Sequence, residues 1–221
     1  MITKKIEDRL MKLLSKLPRA WDGRKSILEM KAAQYPHWKQ MEWLGFYFQY
    51  LCETRLSPTV TVPGPKYGRV EFDGLSGIPW DFKAHPIKDA SGKISNSVIV
   101  NDKRAILKAI KQYGAAGLIL AVGEAKFNDE DRSFQVWHKE LKGGLSDYEK
   151  KRILRKAPSR LRKVSFRMTE VALIIMDDKA IKKLGSFQKG FRNSDGSPRN
   201  AKVLLDLTKV KPVRVVKFGG N

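Results

Sequence analysis

The sequence predicts an α/β fold, a central mixed sheet flanked by helices with a basic C-terminal α+β extension, and three observations carry that expectation. Residues 59–85 alternate apolar and polar side chains in short runs rich in β-branched residues, broken by turn residues. Residues 102–114 change to helical spacing. Directly afterwards, 116-AGLILAVG-123 is a continuous apolar run, the pattern of a strand covered on both faces.

Taken in order, 1-MITKKIEDRLMKLLSKLP-18 places Ile6, Leu10, Leu13, Leu14 and Leu17 at helical spacing. Charges interrupt it throughout, so it reads as an amphipathic helix rather than a signal peptide. The stretch 37-HWKQMEWLGFYFQYLCETRL-56 reads as a helix apolar nearly all round, hence buried. Strands are expected at 59-TVTV-62, 68-GRVEFDG-74 and 79-PWDFKAH-85, forming a meander through the turn-rich 63–68 and the turn from Gly74 to Gly77. Asn101 offers an N-cap to a helix over 102–114, amphipathic through Ala105, Ile106, Ala109, Ile110 and Tyr113, and Gly114 suits its C′ position. Further on, Ser146 and Glu149 form a capping-box pattern opening a basic helix to about Lys156. Residues 164–176 read as a strand, 178–185 as a short helix, and 201–207 and 211–218 as strands, with a long polar loop at 186–200.

The chain has 221 residues, 42% of them hydrophobic, enough for one domain with a real core. No repeat, low-complexity tract or Gly/Ser linker divides it, so a single domain is expected, with a core over about 37–123 and an extension over about 138–221. No apolar run reaches the roughly 18 residues of a membrane span, which argues against a membrane partner. The single cysteine, Cys52, excludes an internal disulfide and any cysteine-based zinc site, and fits a reducing intracellular compartment.

Charge is the first functional clue. Lys and Arg number 44 against 23 Asp and Glu, a formal net charge of +21. An excess that repels itself in a compact fold is readily explained by a polyanionic partner, and nucleic acid is the expected one. The excess is also uneven: His138 to Arg167 holds 11 basic and 3 acidic residues, and Lys179 to Asn221 holds 11 and 2.

Against that background, 70-VEFDGLSGIPWDFKAH-85 places acids inside a predicted sheet. On the third strand Trp80, Phe82 and Ala84 share the apolar face, so Asp81, Lys83 and His85 line the other. Asp73 ends the preceding strand, and the intervening turn can bring its carboxylate close to that of Asp81. Two converging carboxylates favour a hard divalent cation between them. An adjacent lysine can hold a phosphate oxygen or help orient an attacking water, and the set suits metal-assisted phosphodiester hydrolysis.

Asp73 with Asp81-Phe82-Lys83, in an α-β-β-β-α-β order over about 37–123, resembles the PD-(D/E)XK nuclease superfamily, particularly small type II restriction endonucleases. The resemblance implies a restriction-endonuclease-like core and Asp73 and Asp81 as metal ligands. It further implies the Phe82 carbonyl as an additional ligand and Lys83 as the catalytic lysine. It also implies Mg2+ with Mn2+ as a substitute, double-stranded DNA as substrate, a homodimer on a palindromic target, and a prokaryotic cytoplasmic setting. Phe72 stands where the superfamily's motif has proline. The bare pattern of acid, any residue, lysine occurs six times here, and only Asp81–Lys83 follows a strand ending in Asp with the helix and buried strand still to come. Glu124–Lys126 is the rival, with Asp102 upstream. However, Asp102 stands at a helix start, where an acid is expected anyway, and the strand of Glu124 would be the last of the core. Relatives often add a glutamate from the preceding helix, and Glu42 and Glu53 are both candidates on one helical face.

For DNA contact, Lys151, Arg152, Arg155, Arg160, Arg162 and Lys163 are expected to meet phosphates. In the loop, Gln188, Lys189, Arg192, Asn193, Arg199 and Asn200 are the expected groove-reading set, since Arg pairs with guanine edges and Asn or Gln with adenine. His85 is expected either to contact a phosphate or tune Asp81, or to be a hydrogen-bonded strand histidine. Two further readings stay open: a DNA-repair or junction-resolving nuclease that reads shape, and a non-catalytic nucleic-acid-binding protein with a structural acidic cluster.

Overall fold

The computed structural model describes residues 2–128, 131–157, 161–188, 198 and 200–219. Helix α1 (Lys4–Leu14) starts at Thr3, whose hydroxyl accepts the Ile6 N–H, and buries Leu10 and Leu14 as its spacing predicted. Strand β1 (Ala20–Asp22) leads into α2 (Gly23–Ala32), opened by the Asp22 carboxylate accepting the Lys25 N–H at 2.9 Å. Helix α3 (Trp43–Leu56) is buried through Trp43, Leu44, Tyr47, Phe48, Leu51, Cys52 and Leu56, which accounts for its all-round apolarity. It begins later than predicted, because residues 37–39 form a turn and 40–42 are irregular.

Next come a two-residue ribbon, β2 (Lys66–Tyr67) with β3 (Val70–Glu71), and an antiparallel hairpin, β4 (Gly74–Ser76) with β5 (Ile78–Pro86). The predicted three-strand meander is therefore corrected. Residues 59–62 contribute only an isolated bridge, Thr61 to Leu75, and Pro63 directly after them has no N–H with which to extend a ladder. Strand β6 (Ser97–Asp102) precedes α4 (Lys103–Tyr113), which ends at Gly114 in the left-handed region with φ 83°, as predicted. Asn101 is not the cap: it belongs to β6, and Asp102 takes the N-cap position.

Strand β7 (Ala116–Asn128) is followed by α5 (Ser133–Leu141) and then α6 (Asp147–Leu154), the latter opened by the predicted Ser146–Glu149 capping box. The chain closes with β8 (Arg162–Met176), α7 (Asp178–Leu184), β9 (Gly185–Gln188), β10 (Lys202–Asp206) and β11 (Arg214–Lys217).

The central sheet runs β1-β8-β7-β5-β4, with β11 also on β8. Its pairs are antiparallel except β5–β7, which is parallel and whose crossover carries β6 and α4, so the predicted α/β class with a mixed central sheet is present. A second sheet, β6-β10-β9, is antiparallel throughout. Two apolar clusters cover the two faces of the central sheet. One joins α1, α2 and α3 to Trp80, Phe82, Ile119 and Ala121, and the other joins α4, β6 and β10 to Leu118 and Leu120. That is why β7 is apolar without alternation. Among the described residues, no helix is long and apolar enough to cross a membrane.

Candidate active site

Asp73 is the second of the two residues joining β3 to β4, and it is held on both sides. Before it, Phe72 is buried, its N–H donates to the Pro65 carbonyl, and its carbonyl accepts the Gly64 N–H. After it, Gly74 enters the β4–β5 ladder opposite Trp80. The ladder stops there, and Asp73 Oδ2 accepts the Phe82 N–H at 2.6 Å, standing in for the missing strand carbonyl. Because the N–H and C=O of an extended residue point to the same side of a strand, the Phe82 carbonyl faces this edge as well.

Asp81 lies on the opposite face from Trp80 and Phe82, as the alternation predicted, but that face is covered by β6 and α4. Its residue exposure is 1%. Oδ1 accepts the Asn101 side-chain N–H at 3.1 Å, while Oδ2 is buried with no hydrogen-bond partner. Burial raises the Asp73 carboxyl to about 7, reinforced by repulsion from Asp81 and opposed by Lys83 and the Phe82 N–H. Asp81 is raised too, chiefly by burial, with Lys83, Asn101 and Lys202 acting against it. Burial works against the charge of Lys83, but Asp81 and Asp73 outweigh it and its ammonium is held above the usual range.

Glu53 joins this group and Glu42 does not. Glu53 accepts hydrogen bonds from Gln49 at 2.8 Å and from the Tyr35 hydroxyl at 3.2 Å, and its charge acts on Asp73. Burial raises its carboxyl, with the Gln49 and Tyr35 bonds opposing. Glu42 stands before the first turn of α3, about 16 Å along the axis from Glu53 at 1.5 Å per residue, and pairs with Lys163 at 2.8 Å. Glu42 is the N-cap residue, outside the helical turns, so the expected shared helical face is not formed and the two acids lie too far apart to reach one site. A cleft of about 510 Å³, lined by Asp73, Glu53, Gln49, Tyr35, His37 and Glu71, opens onto the cluster.

The donor set suits a hard cation. Asp73, Asp81 and Glu53 set three acids against one lysine, Lys83, inside a chain of net charge +21. Its donors are carboxylate and carbonyl oxygens, and the Oδ2 of Asp81 is a buried acceptor lacking a donor. Among the described residues, no group of three or more His, Cys, Asp or Glu side chains is gathered as a ready ligand set. The fit therefore rests on two carboxylates and a main-chain oxygen.

No family model, curated protein or solved structure matches the chain.

The remaining predicted residues divide. His85 is 8% exposed, its Nε2 is 2.8 Å from the Ser95 carbonyl, and burial lowers its pKa, so it is a hydrogen-bonded strand histidine and not a free phosphate ligand. Arg162 is 7% exposed with Nη2 2.9 Å from Met41 Sδ, which removes it from the expected phosphate contacts. Lys163 pairs with Glu42 and lies over the Phe127 ring. Arg152 donates to the Ala157 carbonyl at 2.7 Å, whereas Lys151 and Arg155 are exposed on α6, Arg155 donating to the Lys151 carbonyl at 3.2 Å. Arg160, Lys189, Arg192, Asn193 and Arg199 lie outside the described residues, as does the side chain of Gln188, whose backbone closes β9. Asn200 donates to Asp102 at 3.4 Å. Glu124 forms an exposed ion pair with Arg167 at 3.0 Å, so the rival pattern Glu124–Lys126 carries an ordinary surface charge.

Sequence reasoning missed Asn101, Lys202 and Tyr35. Only Gln49, four residues before Glu53 on a helix, left a readable signal. The other three reach the site through β6, β10 and the turn after α2, which no local pattern links to β5.

Proposed function

We propose that this chain is a Mg2+-dependent endodeoxyribonuclease of the restriction-enzyme type, with a restriction-endonuclease-like core, that hydrolyses phosphodiester bonds in double-stranded DNA at a specific sequence. The observation that carries the reading is the buried pair Asp73 and Asp81 beside Lys83, with one Asp81 oxygen unpartnered, in a strongly basic chain. Asp73, Asp81 and the Phe82 carbonyl would hold the cation, which when bound supplies charge neutralisation at the phosphoryl group and a more acidic water. Mn2+ is expected to substitute, since its ligand preferences are similar.

The chain's own residues do the rest. The Lys83 ammonium neutralises a non-bridging phosphate oxygen as negative charge develops there. Glu53, oriented by Tyr35 and Gln49, faces the cleft and can accept a hydrogen bond from water. Hydrolysis forms one P–O bond to the water oxygen and breaks one P–O ester bond, and the proton lost by water is balanced by protonation of the leaving alkoxide. A palindromic target cut in both strands requires two copies of the chain, one site per strand.

The competing reading is a nucleic-acid-binding protein whose acids are structural, and one observation favours it: Asp81 already has Asn101 and Lys83 against it. Plasmid and phage DNA incubated with Mg2+ or EDTA separates the two. Discrete Mg2+-dependent fragments are expected from the wild type, with neither Asp81→Asn nor Lys83→Ala producing them. Asp81→Asn keeps the size and shape of the side chain and leaves Asp73 to oppose the Lys83 charge, so it should remain folded, as thermal melting checks. Gel-shifted but uncut DNA throughout would overturn the nuclease reading.

A further inference from the structure

A second cleft, of about 680 Å³, lies on the α4 side of the central sheet, where Tyr67, Arg69, Arg104, Lys108, Asn200 and Lys202 are among its lining. Its position follows from three elements. The β2–β3 ribbon presents Arg69 at its tip, next to Gly68 with φ 66°. Arg104 and Lys108 are four residues apart on α4, so they project from one face above the buried Ala105 and Ala109. The third wall is β10, through Lys202.

The charge in this cleft is uncompensated. Its single acid among the described residues, Asp102, is already engaged by Lys202 at 3.4 Å and by Asn200 at 3.4 Å. Arg69, Arg104 and Lys108 are exposed and have no carboxylate partner among the described residues. Three unopposed cations converging from two elements make a concave anion site rather than a solvated face.

The cleft also adjoins the candidate active site. Asn101, which donates to Asp81, is the residue before Asp102, and Lys202, which pairs with Asp102, exerts its charge on Asp81. A chain of anions lying in the cleft would therefore run past the catalytic carboxylates.

We infer that the Arg69–Arg104–Lys108 cleft holds the phosphodiester backbone of the nucleic-acid strand next to the bond to be cut, fixing its position without reading its sequence. The inference rests on the nucleic-acid reading above and adds the surface that guides the strand. Lined by Arg69, Arg104 and Lys108 from two separate elements, the cleft suits a continuous backbone better than a single mononucleotide.

The test measures affinity for a short duplex of arbitrary sequence in EDTA, so that nothing is cut, across a salt series. The variant Arg69→Ala/Arg104→Ala/Lys108→Ala is compared with Lys4→Ala/Lys5→Ala/Lys12→Ala, which removes the same charge from α1 on the opposite face. Loss of three phosphate contacts should flatten the slope of log affinity against log salt by about 2.7, so that between about 50 and 200 mM salt the wild type loses about 40-fold more affinity than the cleft variant. The α1 variant should keep the wild-type slope. Equal flattening in both variants, or none in the cleft variant, overturns the cleft assignment while leaving DNA binding intact. A wild type that does not bind DNA overturns the nucleic-acid reading itself.

Discussion

His138, on α5, is 5% exposed and its Nε2 lies 3.2 Å from the Trp38 carbonyl, which requires the proton on that nitrogen. Burial lowers its pKa to about 4, with Lys142 and Arg162 adding to the effect and the Trp38 carbonyl and Glu149 opposing it. Unfolding returns the ring to an ordinary value near 6.5, so between about pH 6.5 and 4 the unfolded chain binds a proton that the folded chain refuses. Stability is therefore complete above this window and falls as pH drops through it, by on the order of 3 kcal/mol. Urea titrations at pH 7, 5.5 and 4 should show that loss in the wild type and a shallower one in His138→Gln. Parallel pH profiles would show that the ring is accessible to solvent protons when folded. At the candidate site the same logic of burial acts on Asp73 and Asp81, where Asp81 Oδ2 also lacks a hydrogen-bond partner.

At the scale of elements, the site depends on the short strand β4. Gly74 follows Asp73, and a Cβ there would collide with the Val60 side chain and stand 3.1 Å from the Phe82 ring. Its backbone is ordinary, so the requirement for glycine is one of close approach rather than of conformation. Gly74→Ala should lower stability by about 1–3 kcal/mol through overpacking, read as a shift in denaturation midpoint. It should also reduce cleavage more than stability alone explains, since Asp73 moves with the strand. Unchanged stability would mean that Val60 yields at no cost. The capping box of α6 and the left-handed Gly114 behaved as local chemistry dictates, whereas residues 59–62, with comparable β propensity, did not form a full strand. Their partner edge is limited to Leu75, and propensity cannot supply a missing neighbour.

For the molecule as a whole, the net charge of +21 sets two opposite responses to salt. Self-repulsion destabilises the compact chain and is screened as the Debye length falls from about 10 Å at 0.1 M to 3 Å at 1 M. The melting temperature of the free protein should rise over that range in sodium chloride, while the proposed affinity for DNA should fall steeply. A melting temperature indifferent to salt would mean that the positive charges are spaced too widely to interact. The acids gathered at the candidate site matter for the same reason. In the proposed function a basic surface would attract the polyanion, and the buried acidic cluster beneath it would retain the cation.

The sequence by itself determined the α/β class, the buried character of α3 and β7, and the apolar and polar faces of β5. It also placed Asp73, Asp81 and Lys83 at adjacent positions, because strand alternation and a tight turn are local rules. Only the tertiary structure placed Glu53 near Asp73 and Glu42 against Lys163, turned His85 and Arg162 into interior residues, and brought Asn101 from β6 onto Asp81 with the charge of Lys202 on β10 acting on it. Those contacts span sequence separations that no periodicity encodes. They exist because the second sheet must cover the apolar face of the first, and that covering also buries Asp81.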